Sequence, residues 1–360
     1  MSTNGFKIIS LFSGCGGLDL GFKNAGFDII WANEYNKKIC PTYKKNNPET
    51  ILDDRSISDI PSSEIPEADG IVGGPPCQSW SLAGSMKGIE DNRGKLFYEY
   101  ARVLRDKKPK FFLAENVPGL ISKSHIKEFK KIVELFGELG YEVKYKKLNA
   151  VNYGVPQTRK RVFIIGFRKD LNIDYKFPKK THSTQLKENK TLTLDNFKNN
   201  IKPIKTLRDA IGDLPEPKAA KDKNYTNGDN LEINAHEYYI GGFSSRFMSR
   251  NRRRGWDEPA YTVQANGRHA RIHPSAKPMV KIEKDNWKFG GNTTPRRLSV
   301  RESARIQTFP DSYKFYYEKV NTGYKMVGNA VPVKLSERLA KSILYYCQTK
   351  NKEIIKVKNA

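Results

Sequence analysis

The sequence predicts an α/β protein: an open, mostly parallel sheet flanked by helices, joined to a smaller irregular domain. Short apolar runs bounded by glycine alternate with helical patterns through the first half of the chain. That periodicity fades after about Arg168, first into a Lys-, Asn-, Thr- and Pro-rich stretch and then into a Gly- and Arg-rich one. It returns close to the end. The 360 residues are enough for one large domain or two ordinary ones, and with 38% hydrophobic residues the chain can bury a core.

Taken in order, residues 7–12 read as a buried strand and 18–25 as a helix ended near Gly26. Strands follow at 27–32, 70–73, 110–115 and 162–167, with helical patterns at 95–107 and 127–139 between them. Helical periodicity resumes at 299–308 and 332–346. The expected organisation is a first domain over 1–175, an irregular one over 176–296, a return to the first over 297–350 and a basic tail over 351–360.

Charge bounds the function. Lys plus Arg number 64 against 39 Asp plus Glu, a net charge of +25. A polyanionic partner, nucleic acid first, explains that excess; lysine enrichment from an AT-rich genome explains it equally. No apolar run reaches the ~18 residues of a membrane span, and the N-terminus lacks signal-peptide regions. A cytoplasmic protein with no membrane partner is expected. Cys15, Cys40, Cys77 and Cys347 are scattered and no His spacing accompanies them, which argues against a metal site or a disulfide framework. A cysteine that matters here matters singly, as a nucleophile.

Phe12-Ser13-Gly14-Cys15-Gly16-Gly17 joins a predicted strand to a predicted helix. Glycines there let the backbone turn sharply and approach a ligand, and the helix N-terminus receives a negative group. Glu34, about twenty residues on at a strand end, suits ribose hydroxyls. The spacing is not Gly-x-Gly-x-x-Gly, and a glycine turn also serves as a plain tight connection. Gly73-Gly74-Pro75-Pro76-Cys77 follows a short apolar strand, and the two prolines fix where the thiol points. The polar segment 78–93 suits a loop that closes over a substrate. A buried cysteine in a turn fits the same residues. Glu115 ends another strand, where parallel sheets build their sites. Alternation puts Arg159 and Arg161 on one face, suited to phosphate or carbonyl groups or to a solvated edge.

Read together, these blocks resemble the bacterial DNA (cytosine-5)-methyltransferases. The matching segments are 12–17, 33–35, 73–81, 115–117, 157–161, 297–311 and 328–332, spanning nearly the whole chain. The resemblance implies a Rossmann-like methyltransferase fold, S-adenosylmethionine as cofactor and duplex DNA as partner. It implies that Cys77 adds to carbon 6 of a flipped-out cytosine, making carbon 5 nucleophilic. Glu115 would hydrogen-bond N3 and the exocyclic amine. Arg161 would hold the base carbonyl, and Arg159 would position nucleophile and substrate. Phe12 and Tyr35 resemble adenine contacts, Gly14 and Gly16 form the turn and Glu34 binds the ribose. Pro76, Leu96, Asn329 and Val331 resemble further wall and methionine contacts. The family's Asp-Ile pair is displaced here to Leu52-Asp53-Asp54-Arg55-Ser56-Ile57, and Asp53 is taken as the adenine-reading acid.

The irregular domain would read the DNA through Arg250, Arg252, Arg254, Gln264, Arg268 and Arg271, with Ser81 from the closing loop. Arginine pairs bidentately with guanine, although more than half of such arginines are expected on phosphate. The blocks are especially similar to methyltransferases that modify GGCC. They depart at His269-Ala270-Arg271-Ile272 and before Arg296, so another short GC-rich palindrome stays open. The family implies a monomer that protects host DNA beside a restriction endonuclease. An RNA cytosine-5 methyltransferase and a DNA-binding regulator are the competing readings.

Overall fold

The computed structural model describes residues 5–76, 95–184 and 201–358. Cys77, Ser81 and the 78–93 segment lie outside the described residues. The strands that concern the site are β1 (Lys7–Leu11), β2 (Asp28–Asn33), β3 (Ile51–Asp53), β4 (Gly70–Gly73), β5 (Phe111–Asn116), β6 (Tyr141–Asn149), β7 (Gln157–Thr158) and β8 (Lys160–Arg168). The helices are α1 (Gly17–Asn24), α2 (Cys40–Asn46), α3 (Lys95–Lys107), α4 (Ile126–Glu138), α5 (Leu207–Ile211), α6 (Ser245–Met248), α7 (Val300–Ile306), α8 (Val320–Asn329) and α9 (Val333–Lys358).

Seven strands form one sheet in the order β3-β2-β1-β4-β5-β8-β6. β1 to β5 pair in parallel, and β8 runs antiparallel to both β5 and β6. The sheet is therefore mostly parallel and flanked by helices, as expected. Its central strands are buried on both faces, and the side-chain period of two splits them between two cores. Ile8, Val72, Phe111, Leu113 and Phe163 pack against Phe22 of α1 and Leu335, Leu339 and Ile343 of α9. Ile9, Ile71, Phe112, Ala114 and Ile164 pack against Phe97 and Tyr100 of α3 and Phe129 and Phe136 of α4. Burying each such side chain contributes roughly 1.5–3 kcal/mol. α1 reaches α9 closely because Gly21 lacks a side chain: a Cβ there would lie 2.3 Å from Ser336.

After β3 the chain crosses back over β1 to form β4. That reversal opens a crevice at the carboxyl ends of β1 and β4, where doubly wound sheets bind ligands. Two strands of this sheet were not anticipated. β3 is three residues long, and β6 is a polar edge strand carrying exposed Lys146 and Lys147, which discourage edge pairing.

Residues 207–333 supply a third core, with Val300, Ala304 and Ile306 of α7 and Tyr324 and Val327 of α8. Around it the chain has one-turn helices and two-residue strands. One such strand, Ala260–Tyr261, pairs with β7 and so ties the irregular segment to the chain entering β8. α9 continues to Lys358, so the stretch expected as a tail is helical as far as that residue. Among the described residues no helix is long and apolar enough to cross a membrane.

Candidate active site

A cavity of about 570 Å³ opens in the crevice. Phe12, Gly14, Glu34, Tyr35, Pro76, Glu115, Arg161, Asn329 and Val331 all line it. Gly16, Asp53, Leu96 and Arg159 do not. Among the described residues no cluster of His, Cys, Asp or Glu could hold a metal ion.

The turn after β1 is built from unusual backbone. Phe12, Gly14 and Gly16 take φ values of 55°, 56° and 83°. For Phe12, a non-glycine residue, this is strained conformation of the kind held at ligand sites. At Gly16 a Cβ would also lie 2.7 Å from the Tyr313 hydroxyl. The turn delivers the open N-terminus of α1 to the cavity. Glu34 clasps it: the Gly14 amide donates to Oε2 at 3.0 Å and the Asn36 amide to Oε1 at 2.8 Å. Burial raises the Glu34 pKa, and those two amides oppose the rise. Each Glu34 oxygen retains a lone pair for a hydroxyl. Tyr35 stands beside it, 63% exposed, as an uncovered aromatic wall. Asp53 faces elsewhere; its carboxylate is gripped by Arg55, with Nη2 at 2.6 Å, which holds its pKa below the usual range. Leu96 packs at the edge of the α3–α4 core.

At the other end, the Arg161 guanidinium meets Glu115, Nε to Oε1 at 2.9 Å. Burial raises the Glu115 pKa, against the charges of Arg161 and Arg159. The Gly73–Pro76 turn is anchored beside this pair, since Asn116 donates to the Pro75 carbonyl at 3.0 Å. A Cβ on Gly74 would lie 3.3 Å from Glu115 Oε2, so glycine lets the turn approach the carboxylate.

Arg159 does not line the cavity beside Arg161. It falls in the break between β7 and β8, which belong to different sheets, so strand alternation does not carry across it. Its Nη2 donates to the carbonyls of Gly328 at 2.9 Å and Ala330 at 3.1 Å, and its Nη1 to that of Val263 at 3.4 Å. Burial, then the charge of Arg161, lowers its pKa to about 9. Gln157 and Gln307 extend this network: Gln157 donates to Gln307 at 2.7 Å and accepts from the Val263 amide at 2.8 Å. Together they join the irregular segment to the C-terminal end of α8, which carries Asn329.

Sequence reasoning did not single out Asp19, His125 or Lys325, which also line the cavity. Asp19 is fully buried and accepts from Ser10 at 2.7 Å and Tyr43 at 2.6 Å. Only contacts between distant segments reveal it, and no local pattern marks it. Cys15, Cys40 and Cys347 are free and buried. Burial pushes Cys15 and Cys347 up to about 12 and raises Cys40, so none is poised as a thiolate.

Of the arginines expected to read DNA, Arg250 and Arg268 are exposed. Arg252 donates to the Phe247 and Arg246 carbonyls, both at 2.8 Å. Arg254 pairs with Glu258 at 2.6 Å and stacks over Tyr261 at 4.2 Å. Gln264 donates to the Thr262 carbonyl at 2.9 Å. Arg271 lies over the Tyr261 ring, 5.4 Å from its centre.

Residues 6–345 match the family model for C-5 cytosine-specific DNA methylases. The chain is 55% identical over 338 residues to Type II methyltransferase M.MthTI of Methanothermobacter thermautotrophicus, covering 93% of this chain and 96% of the relative. It is 53% identical over 341 residues to M.FnuDI of Fusobacterium nucleatum (94% of each chain) and 50% identical over 346 residues to M.NgoPII of Neisseria gonorrhoeae (94% and 96%). Among solved structures it is similar to a prophage-encoded DNA modification methyltransferase of E. coli, at a TM-score of 0.68 and 25% identity over 95% of this chain and 99% of that one. DNMT2 of Spodoptera frugiperda shares the fold at a TM-score of 0.63 and 18% identity, over 94% and 99%.

Proposed function

This chain belongs to the C-5 cytosine-specific DNA methylase family, and on that premise we propose that it methylates carbon 5 of a flipped-out cytosine in a short GC-rich duplex site through a covalent adduct at Cys77. The observation that carries the reading is one cavity with two chemically distinct ends. The Glu34-clasped glycine turn lies at one end and the Glu115–Arg161 pair at the other.

The cofactor end suits S-adenosylmethionine. Phe12 and Tyr35 offer aromatic faces for adenine, Glu34 has lone pairs for ribose hydroxyls, and the α1 N-terminus suits the amino-acid carboxylate. Pro76, Asn329 and Val331 complete the walls. S-adenosylmethionine supplies an electrophilic methyl group.

At the other end a cytosine swung out of the duplex, at a cost of a few kcal/mol, meets Glu115. Burial raises the pKa of the Glu115 carboxyl, which favours sharing a proton with N3 and so offsets the negative charge that arrives as the thiolate adds to carbon 6. Arg161 turns its remaining donors to the base carbonyl. In this reading 1–175 and 297–350 form the catalytic part and 176–296 the target-recognition part. Arg159, Gln157 and Gln307 join the two rather than touching the base. The protein acts as a monomer in the cytoplasm, beside an endonuclease that cuts the same sequence, and the departures near Arg271 keep GGCC one candidate among short GC-rich palindromes.

The test is transfer of label from methyl-labelled S-adenosylmethionine to duplex DNA and, separately, to tRNA, with nucleoside mass spectrometry. Labelled 5-methylcytosine in DNA, absent with Cys77→Ser at unchanged thermal stability, is the expected result. No transfer, preference for tRNA, or an active Cys77→Ser contradicts it.

A further inference from the structure

The arginines of the irregular segment differ in what holds them. Arg252 is fixed by two backbone carbonyls, Arg253 by the Pro274 carbonyl at 2.7 Å, and Arg297 by those of Gly241 and Gly242, both at 2.9 Å. Arg254 has Glu258. The Nε atoms of Arg253, Arg254, Arg271 and Arg297 are all buried without a hydrogen-bond partner among the described residues, but Arg271 alone of these four has no acceptor among them on its terminal nitrogens either. The Tyr261 ring is what its guanidinium lies against. Arg252 and Arg250 add like charge nearby, and burial together with those charges lowers its pKa to about 10. A partly buried cation in that setting is costly until acceptors reach it.

Its position is set firmly. The Leu298 amide donates to the Arg271 carbonyl at 2.7 Å, and the next residue, Ile272, bridges to both Arg253 and Arg297. Tyr261 stacks with Arg254 as well, and it pairs with Thr158, the residue before Arg159. An exposed, flexible cation is enough for a phosphate. A guanidinium fork held against a ring and lacking acceptors matches two coplanar acceptors instead, which the O6 and N7 atoms of guanine present in the major groove.

Building on the methyltransferase reading above, we propose that Arg271 is a specificity-determining residue that pairs bidentately with one guanine of the methylated site. Tyr261 is its positioning partner.

The test uses the full chain and a duplex library of randomised sequence, with methylated cytosines read by bisulfite sequencing. Arg271→Lys keeps the charge and loses the fork. It is expected to accept other bases at one position where the wild type demands guanine. Discrimination there should fall on the order of 10- to 100-fold, with the other positions still read. Tyr261→Leu, which leaves Arg271 in place, should relax the same position to a smaller degree. Uniformly slower methylation with every position still discriminated would make Arg271 a phosphate contact and overturn the proposal, as would relaxation at a different position in the two variants. If the wild type methylates no cytosine, the methyltransferase reading itself falls, and this inference with it. Wild-type methylation with intact guanine discrimination in both variants removes this inference alone.

Discussion

The two ends of this protein treat charge in opposite ways. In the cavity at the carboxyl ends of the central strands the two carboxylates already have partners: Glu115 has Arg161, and Glu34 has two backbone amides. Across the irregular segment, Arg250 and Arg268 stand exposed and Arg271 lacks an acceptor among the described residues. Under the proposed function, the difference follows from what each end would meet. A preorganised corner stabilises charge that develops during a reaction without having to rearrange. A recognition surface needs donors left over for a polyanion that brings its own acceptors.

The comparison can be broken most sharply at the cavity. Glu115→Gln keeps the shape and removes the exchangeable proton, so single-turnover methyl transfer should fall by ~10²–10⁴-fold with little change in melting temperature. A rate within a few-fold of wild type would remove Glu115 from the chemistry.

Within the irregular segment, His273 is buried beside Glu302 and Arg296, and burial depresses its pKa from 6.5 to about 4. The unfolded chain therefore binds the proton more readily than the folded one. Stability from this residue is present above pH 6.5 and is lost as the pH falls towards 4, by about 3 kcal/mol at most. Urea titrations at pH 7 and pH 4.5 should show that loss, and His273→Gln should shrink it. An unchanged pH dependence in the variant would contradict the assignment.

Arg159→Lys tests the junction between the two ends. One ammonium cannot replace a fork that serves three carbonyls, so stability should fall by about 2 kcal/mol in denaturant titration. The smallest effect is expected at the exposed surface. Arg250→Ala should weaken DNA binding modestly and reduce the slope of log Kd against log salt by about 1, if the residue meets phosphate. A slope that does not move would place Arg250 on a base edge or off the DNA.

How much of this was legible in the sequence follows the same division. The central strands announced themselves because both faces are buried, which demands continuous apolar runs such as Phe111-Phe112-Leu113-Ala114. The glycine turn and the strand-end acids were visible because a parallel sheet puts its site at strand ends. β6 was hidden because an edge strand needs no apolar face, and β3 because three residues hold no period. Arg159 reads as a cavity residue beside Arg161, yet the carbonyls of Val263, Gly328 and Ala330, all more than 100 positions away, take up its guanidinium. Asp53 suited an adenine-reading role in the sequence, yet Arg55, two residues on, occupies its carboxylate. Asp19 and the Gln157–Gln307 contact depend on residues 24 and 150 positions apart, which no window along the chain brings together. In the irregular segment the two-residue strands are fixed by partners elsewhere, such as Tyr261 by Thr158, and leave no periodicity to read.

The most direct measurement of the central claim is intact-protein and peptide mass spectrometry after incubation with S-adenosylmethionine and duplex DNA in which 5-fluorocytosine replaces cytosine. Fluorine at carbon 5 cannot leave as a proton does, so an enzyme that adds at carbon 6 and methylates carbon 5 stays bound. The account predicts a stable one-to-one adduct that carries the transferred methyl group and maps to the peptide containing Cys77. No adduct, or one at Cys15, Cys40 or Cys347, would contradict it.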